Sequence, residues 1–136
     1  MSTSSRKRLR FDGAAVTDEA NGECRVSVTL ALGENPFGAE ASAPAEGPGP
    51  LKAAAEATLK AVQGAAEHRF TCSLADLDHV NALGKNLIAV LVDVTFEGRD
   101  AQVFGSCQIG DSELDAAVKA ALNATNRFFE LAMREA

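Results

Sequence analysis

The sequence predicts an α+β fold of two βββα units related by a pseudo-two-fold, an antiparallel sheet with two helices on one face. Three observations predict it. First, two alanine-rich stretches, 47–61 and 110–124, align without gaps at an offset of 63 residues, with seven of 15 positions identical. Second, each stretch is preceded by runs in which apolar and polar residues alternate at period two, the mark of a half-buried strand. Third, apolar residues within each stretch recur at spacings of three and four, which gathers them on one side of a helix. A one-sided helix and a one-sided sheet bury each other, and helices gathered on one face of an antiparallel sheet are the simplest α+β solution. Alanine inflates identity between helices, so the weight falls on the strands, whose order repeats as well.

Taken in order, Arg8 to Val16 is a candidate leading strand. Cys24, Val26, Val28, Leu30 and Leu32 then alternate with Arg25, Ser27, Thr29 and Ala31. The chain reverses at Gly33-Glu34-Asn35-Pro36, residues that favour turns, and Phe37 to Ala43 returns. Pro50 suits the first helical position, where its missing N–H would be unpaired anyway. Leu51, Ala54, Ala55, Thr58 and Val62 form the apolar stripe of that helix. The second unit opens with Arg69 to Leu77, followed by Ile88, Val90, Val92, Val94 and Phe96 in alternation. A turn at Glu97-Gly98-Arg99-Asp100 leads into Val103, Gly105, Cys107 and Ile109. Asp111 or Ser112 caps the last helix, with Glu113 and Asp115 in its electropositive first turn. Its stripe is Leu114, Ala117, Val118, Ala121, Leu122, Thr125 and Phe129. The expected organisation is a disordered basic tail, 1–7, then one domain, 8–136, made of units 8–66 and 67–136. A chain of 136 residues can bury a single core.

Charge narrows the function. Four of the 13 cations, Arg6, Lys7, Arg8 and Arg10, fall in the first ten residues, where there are no acids. The remaining body has nine cations against 19 acids, a net of −10. Such a body is a poor match for phosphate backbones, so nucleic acid is not the expected partner. The basic start reads as a solvated, frayed end rather than a binding arm. No apolar run approaches the ~20 residues of a membrane helix, and no apolar stretch follows the basic residues as in a secretory signal. The expected setting is cytoplasmic.

Cys24, Cys72 and Cys107 are 48 and 35 residues apart, and His68 and His79 are the only histidines. No zinc spacing results, and no metal or other cofactor is expected. An odd thiol count fits reduced cysteines acting as small apolar residues inside strands; a catalytic nucleophile is the other reading. Leu87, Ala89 and Leu91 place apolar atoms on the second face of the central strand, the face that should be wet in a two-layer domain. A sheet made of two like halves is suited to pairing with itself about a two-fold, so a homodimer is expected.

Several of these segments resemble the C-terminal regulatory domain of 2-isopropylmalate synthase, which citramalate synthase shares. They are Leu74-Ala75-Asp76-Leu77-Asp78-His79-Val80, then Glu97-Gly98-Arg99, Phe104-Gly105 and Gly110-Asp111-Ser112-Glu113-Leu114-Asp115-Ala116-Ala117. Ala121-Leu122-Asn123-Ala124-Thr125-Asn126-Arg127 is similar to that family's closing helix, and Glu46-Gly47-Pro48-Gly49-Pro50-Leu51-Lys52-Ala53 to its glycine-proline helix start. The resemblance runs from about Arg8 to Phe129. It implies a pair of βββα units that dimerises and binds an end-product amino acid near the dimer interface. The matching positions are Gly47, Gly49, Pro50 and Ala53, then Leu77, His79 and Val80, with Gly110 and Ser112 opposite. A glycine-rich entry into a helix presents free N–H groups and a positive dipole end to a carboxylate. Leu77, Val80 and Ala53 would line the slot for a branched side chain. The same Gly-Pro-Gly-Pro segment is also an ordinary strand-to-helix turn.

This chain departs from the family at His79, where the family has tyrosine, and the catalytic barrel of roughly 250 residues has no counterpart. No acid–base or metal constellation replaces it, so an enzyme is not expected. The expected function is a stand-alone regulatory-type module, dimeric and binding a small hydrophobic amino acid or similar metabolite, with a protein partner to receive the signal. The alternative is a non-sensing dimeric scaffold that keeps the fold without the effector site.

Overall fold

The computed structural model describes residues 8–134; the expected basic tail, 1–7, lies outside them. The order is β1 (Leu9–Asp18), a single 3₁₀ turn (Ala20–Gly22), β2 (Glu23–Leu32), β3 (Asn35–Pro44) and α1 (Gly49–Ala65). β4 (Phe70–Ala82), β5 (Lys85–Phe96), β6 (Arg99–Gln108) and α2 (Glu113–Arg134) follow. The fold is α+β, with the βββα unit occurring twice. The strands form two three-stranded antiparallel sheets, β1-β2-β3 and β4-β5-β6, each with its middle strand paired on both sides.

An irregularity is copied along with the elements. β1 carries an extra residue, Asp12, between the pairs Phe11–Leu30 and Gly13–Thr29. β4 carries Ala75 between Leu74–Val92 and Asp76–Leu91, 63 positions later. A bulge of this kind flips the alternation of the strand beyond it. On β4, Phe70, Cys72 and Leu74 share the face of Val94 and Val92, and past the bulge Leu77 and His79 take that face while Asp76, Asp78 and Val80 take the other. The sequence reading ended this strand at Leu77; it runs on to Ala82 and turns through Leu83-Gly84, where both residues have positive φ, 54° and 74°. The β5–β6 turn, Glu97-Gly98, has the same signature at 54° and 77°. Two residues of positive φ match the twist of paired strands.

The face carrying Val26, Val28 and Leu30 in one sheet and Ile88, Val90, Val92 and Val94 in the other is fully buried. Both helices pack there. α1 lies against β2 and β3 of its own unit, against α2, and against β4. α2 lies against β5 and β6, against α1, and against β1. Each helix therefore touches its own sheet, its sister helix and the leading strand of the other unit. With three neighbours a helix has little surface left for water. From Ala53 to Val62 and from Ala116 to Thr125 the burial pattern is the same: three buried positions, one exposed, three buried, one exposed, two buried. The exposed positions are Glu56 and Lys60 on α1, Lys119 and Asn123 on α2.

Such coverage requires small contacts, and α1 meets it with Ala53, Ala54, Ala55, Ala57, Ala61 and Ala65, all buried. Between α2 and β6 even alanine is too large. A Cβ on Gly105 would overlap the Ala120 carbonyl oxygen and stand 2.6 Å from the Ala124 nitrogen. At the wider end Phe70, Phe96 and Phe128 close the space, their ring centroids 6.1 to 6.5 Å apart in mainly edge-on geometry. Thr58 and Thr125 are buried, and each hydroxyl donates to the carbonyl four residues back, Ala54 at 2.7 Å and Ala121 at 3.0 Å. That leaves no polar cost inside the helix pair.

Gly105→Ala should therefore lower stability by about 1–3 kcal/mol, the usual cost of forcing a methyl into a filled core. Gly110→Ala, which meets nothing within 4 Å, should stay within about 0.5 kcal/mol of wild type. Urea midpoints compare the two, and equal midpoints would mean that α2 does not lie this close to β6.

Candidate functional site

The nine positions drawn from the resemblance have very different exposures. Gly49, Ala53 and Leu77 are buried, Pro50, Val80 and Ser112 half-buried, and Gly47, His79 and Gly110 exposed. Gly49 has a packing reason, since a Cβ there would overlap the Pro44 carbonyl where β3 ends. Ala53 belongs to the helix core. Leu77 faces the core beside Val90, whereas Val80 stands opposite Leu87 on the outer face. β4 continues past Leu77, and residues three apart on one strand face opposite ways, so two residues expected to line one slot lie on opposite faces of the sheet. His79 is held through its backbone, its N–H donating to the Asp78 carboxylate at 2.9 Å. Leu77 is held likewise by Asp76 at 2.8 Å.

The two helix starts differ as their sequences imply. The Ser112 hydroxyl accepts the Asp115 N–H at 3.1 Å, and Glu113 and Asp115 fill the first turn of α2. α1 begins after Pro48 with no side-chain cap and no acid in its first turn, and Lys52 is beside it. The dipole of α2 is answered within the chain; that of α1 is not.

Two further surface features emerge, the first of which takes in Leu87, Ala89 and Leu91, predicted by the alternation to face outward. The first is on the outer face of the second sheet. Leu91 and Phe104 are paired there, with Ala89, Leu87 and Val80 in line and Asp76 and Asp78 along one side. A shallow depression of ≈ 250 Å³ runs between Asp76, Asp78, Val80, Leu91 and Phe104. Phe104 is 68% exposed. The same face of the first sheet is polar or small: Arg25, Ser27 and Thr29 with Glu40 and Gly38 opposite, and Arg25 paired to Glu19 at 2.7 Å. The two units share a scaffold and differ in what they show to solvent.

The second feature is a groove of ≈ 350 Å³ between β3, α1 and β4, lined by Ala41, Ser42, Glu56, Leu59, Lys60, Gln63, Cys72, Ser73 and Leu74. β3 and β4 are the edges of different sheets, and α1 lies along the gap. Polar side chains of α1 tie down both edges. The Lys60 ammonium donates to the Glu40 carbonyl of β3 at 3.0 Å. The Gln63 amide donates to the Cys72 carbonyl of β4 at 3.0 Å and to Leu59 at 3.1 Å. Glu56, Lys60 and Gln63 stand in the sequence as polar breaks at spacings of four and three in an alanine-rich run; nothing in the sequence says that β3 and β4 flank them.

Cys72 forms part of this wall, and burial pushes its thiol up to about 12. It is neutral near pH 7 and acts there as an apolar surface rather than a nucleophile. Among the described residues, no group of three or more His, Cys, Asp or Glu is placed to hold a metal ion, and no helix is long and apolar enough to cross a membrane. No family model matches the chain and no curated protein matches it, so the resemblance rests on the short motifs quoted above.

The raised thiol has a consequence for alkaline stability. The unfolded chain releases the Cys72 proton from its ordinary 9.0, while the folded chain holds it to about 12. Below pH 9 nothing is lost; between about 9 and 12 the unfolded state binds fewer protons and stability falls, by at most about 1.4 kcal/mol per pH unit. Urea midpoints from pH 8 to 10.5 should drop more steeply for wild type than for Cys72→Ala. Parallel curves would show that the thiol is not desolvated.

Proposed function

We propose that this chain is a regulatory-type module that pairs with a second copy of itself and binds a small hydrophobic amino acid as an effector. The observation that carries the proposal is the one-sided apolar outer face: Val80, Leu87, Ala89, Leu91 and Phe104 on the second sheet, with no counterpart on the first. An exposed apolar patch rimmed by charge is what an interface needs, and a two-fold axis over Leu91 and Phe104 buries it against its own copy. For the effector, the uncapped start of α1 supports a carboxylate near Gly47, Pro50 and Lys52. β4 runs back along α1 from the Gln63–Cys72 contact.

One observation favours the second reading, a scaffold that dimerises without sensing. Gly49 and Ala53 are both committed to packing, which leaves fewer groups at that turn free for a ligand.

The tests separate the two. Light scattering should give twice the chain mass for wild type, and Leu91→Glu should give a folded monomer; a wild-type monomer at high micromolar concentration rejects the dimer. An effector that binds only the folded state must raise the melting temperature. Leucine, isoleucine, valine and phenylalanine at millimolar concentration are the first screen, and Lys52→Glu should abolish any rise. Gly49 is unsuited to this test because any side chain there strikes Pro44. A dimer whose melting temperature no amino acid moves is the scaffold.

A further inference from the structure

The exposed stripe of α1 carries two opposite charges, Glu56 and Lys60, one turn apart and both at the mouth of the groove between β3 and β4. Opposite charges at this spacing are neighbours on a helix surface and are within reach of pairing. Here they do not: among the described residues the ion pairs within 4.0 Å involve Arg25, Glu19, Glu40, Arg69 and Glu67. Lys60 is instead drawn to the Glu40 carbonyl on the β3 side, which anchors its ammonium and separates it from the Glu56 carboxylate. Beneath them the floor is apolar, formed by Leu59, Leu74 and the neutral Cys72 thiol. Gln63 has both amide contacts spent on carbonyls, which fixes its position and leaves its carbonyl oxygen as an acceptor at the inner end. The pseudo-symmetric stripe on α2 has Lys119 and Asn123 in these places, so it offers a cation and no anion.

We propose that this groove binds a small aliphatic zwitterion, its anionic group on Lys60, its cationic group on Glu56 and Gln63, and its hydrocarbon on Leu59 and Leu74. A volume of ≈ 350 Å³ is at the lower end of the ~300–1,000 Å³ usual for ligand sites, which limits the occupant to a small molecule. The two charges of the ligand complete a pairing that the helix leaves open, and a monopole of either sign would leave one side chain unmatched. The inference does not depend on the effector reading above: the groove is built within one chain and shares no residue with the turn at 47–53.

The experiment is a titration of the ¹⁵N-labelled full chain followed by amide shifts, with 5-aminopentanoate and L-leucine as probes and pentanoate and pentylamine as length-matched controls. At least one zwitterion should move the amides of 41–42, 56–63 and 72–74 in a saturable way. Both single-charge controls should bind at least ten-fold more weakly. Glu56→Gln and Lys60→Met should each weaken the zwitterion at least ten-fold, and Lys119→Met on α2 should leave it unchanged. All three substitutions are at exposed positions, and unchanged amide dispersion establishes that each variant is folded. Equal binding of pentanoate, pentylamine and 5-aminopentanoate, or indifference to Glu56→Gln, would overturn the proposal. So would the absence of shifts in the groove with both zwitterions at 20 mM. Shifts from L-leucine confined to 47–53, with none in the groove from 5-aminopentanoate, would also overturn it while leaving the effector reading intact.

Discussion

Each helix of this protein has three protein neighbours, its own sheet, its sister helix and the leading strand of the other unit, and everything else follows from how thin the contacts must be to allow that. A helix pressed from three sides can keep side chains longer than a methyl only where the neighbours diverge. Hence the alanines fill α1, and Leu59, Val62, Val118 and Leu122 sit where there is depth. Hence also β6 gives up its side chain at Gly105, where the backbones of strand and helix nearly touch. Small residues contribute little area each, so stability comes from their number and from valine-rich inner faces on β2 and β5 that reach full burial.

The same crowding settles how the sheet edges are handled. β1, β3, β4 and β6 are all edge strands, and unpaired edges invite other chains to add to them. On three of these edges a polar helix side chain reaches an edge carbonyl: Lys60 to Glu40, Gln63 to Cys72, and Asn123 to Ser106 at 2.7 Å. These residues thus have a structural task on the strands as well as contact with solvent. Where the stripe also carries an acid, at Glu56, the surface acquires a charge pattern beyond what the edges require.

Duplication gives a scaffold with two copies of each surface, and the two have diverged in their outward residues. The inner faces are nearly interchangeable, down to the bulges at Asp12 and Ala75. Outside, one sheet shows Arg25, Ser27 and Thr29 while the other shows Leu87, Ala89, Leu91 and Phe104. At the helix starts, one dipole is answered by Ser112, Glu113 and Asp115, and the other is left bare. Core positions are constrained by volume in both copies alike, whereas a solvent-facing position bears no such constraint and can be given over to recognition.

Period-two alternation, turn residues and a repeated helix were enough to determine the unit, its duplication and the inward residues of β2 and β5, because those signals are local and set by the pleat and the 3.6-residue turn. They also found the unequal helix starts, since charge within one turn acts locally. The length of β4 was not determined, because Leu83-Gly84 is a poor turn sequence that the hairpin imposes; a leucine at φ 54° is accepted only where pairing on both sides demands it. Nor was the split between Leu77 and Val80, which follows from the continuation of β4 to Ala82: residues three apart on one strand face opposite ways. The division of the strands into two sheets, the exposure of Phe104 and the meeting of β3 with β4 across α1 were decided by tertiary structure alone. Each depends on which surfaces remain uncovered after two helices have taken three neighbours apiece, and that is a property of the assembled volume rather than of any window of the chain.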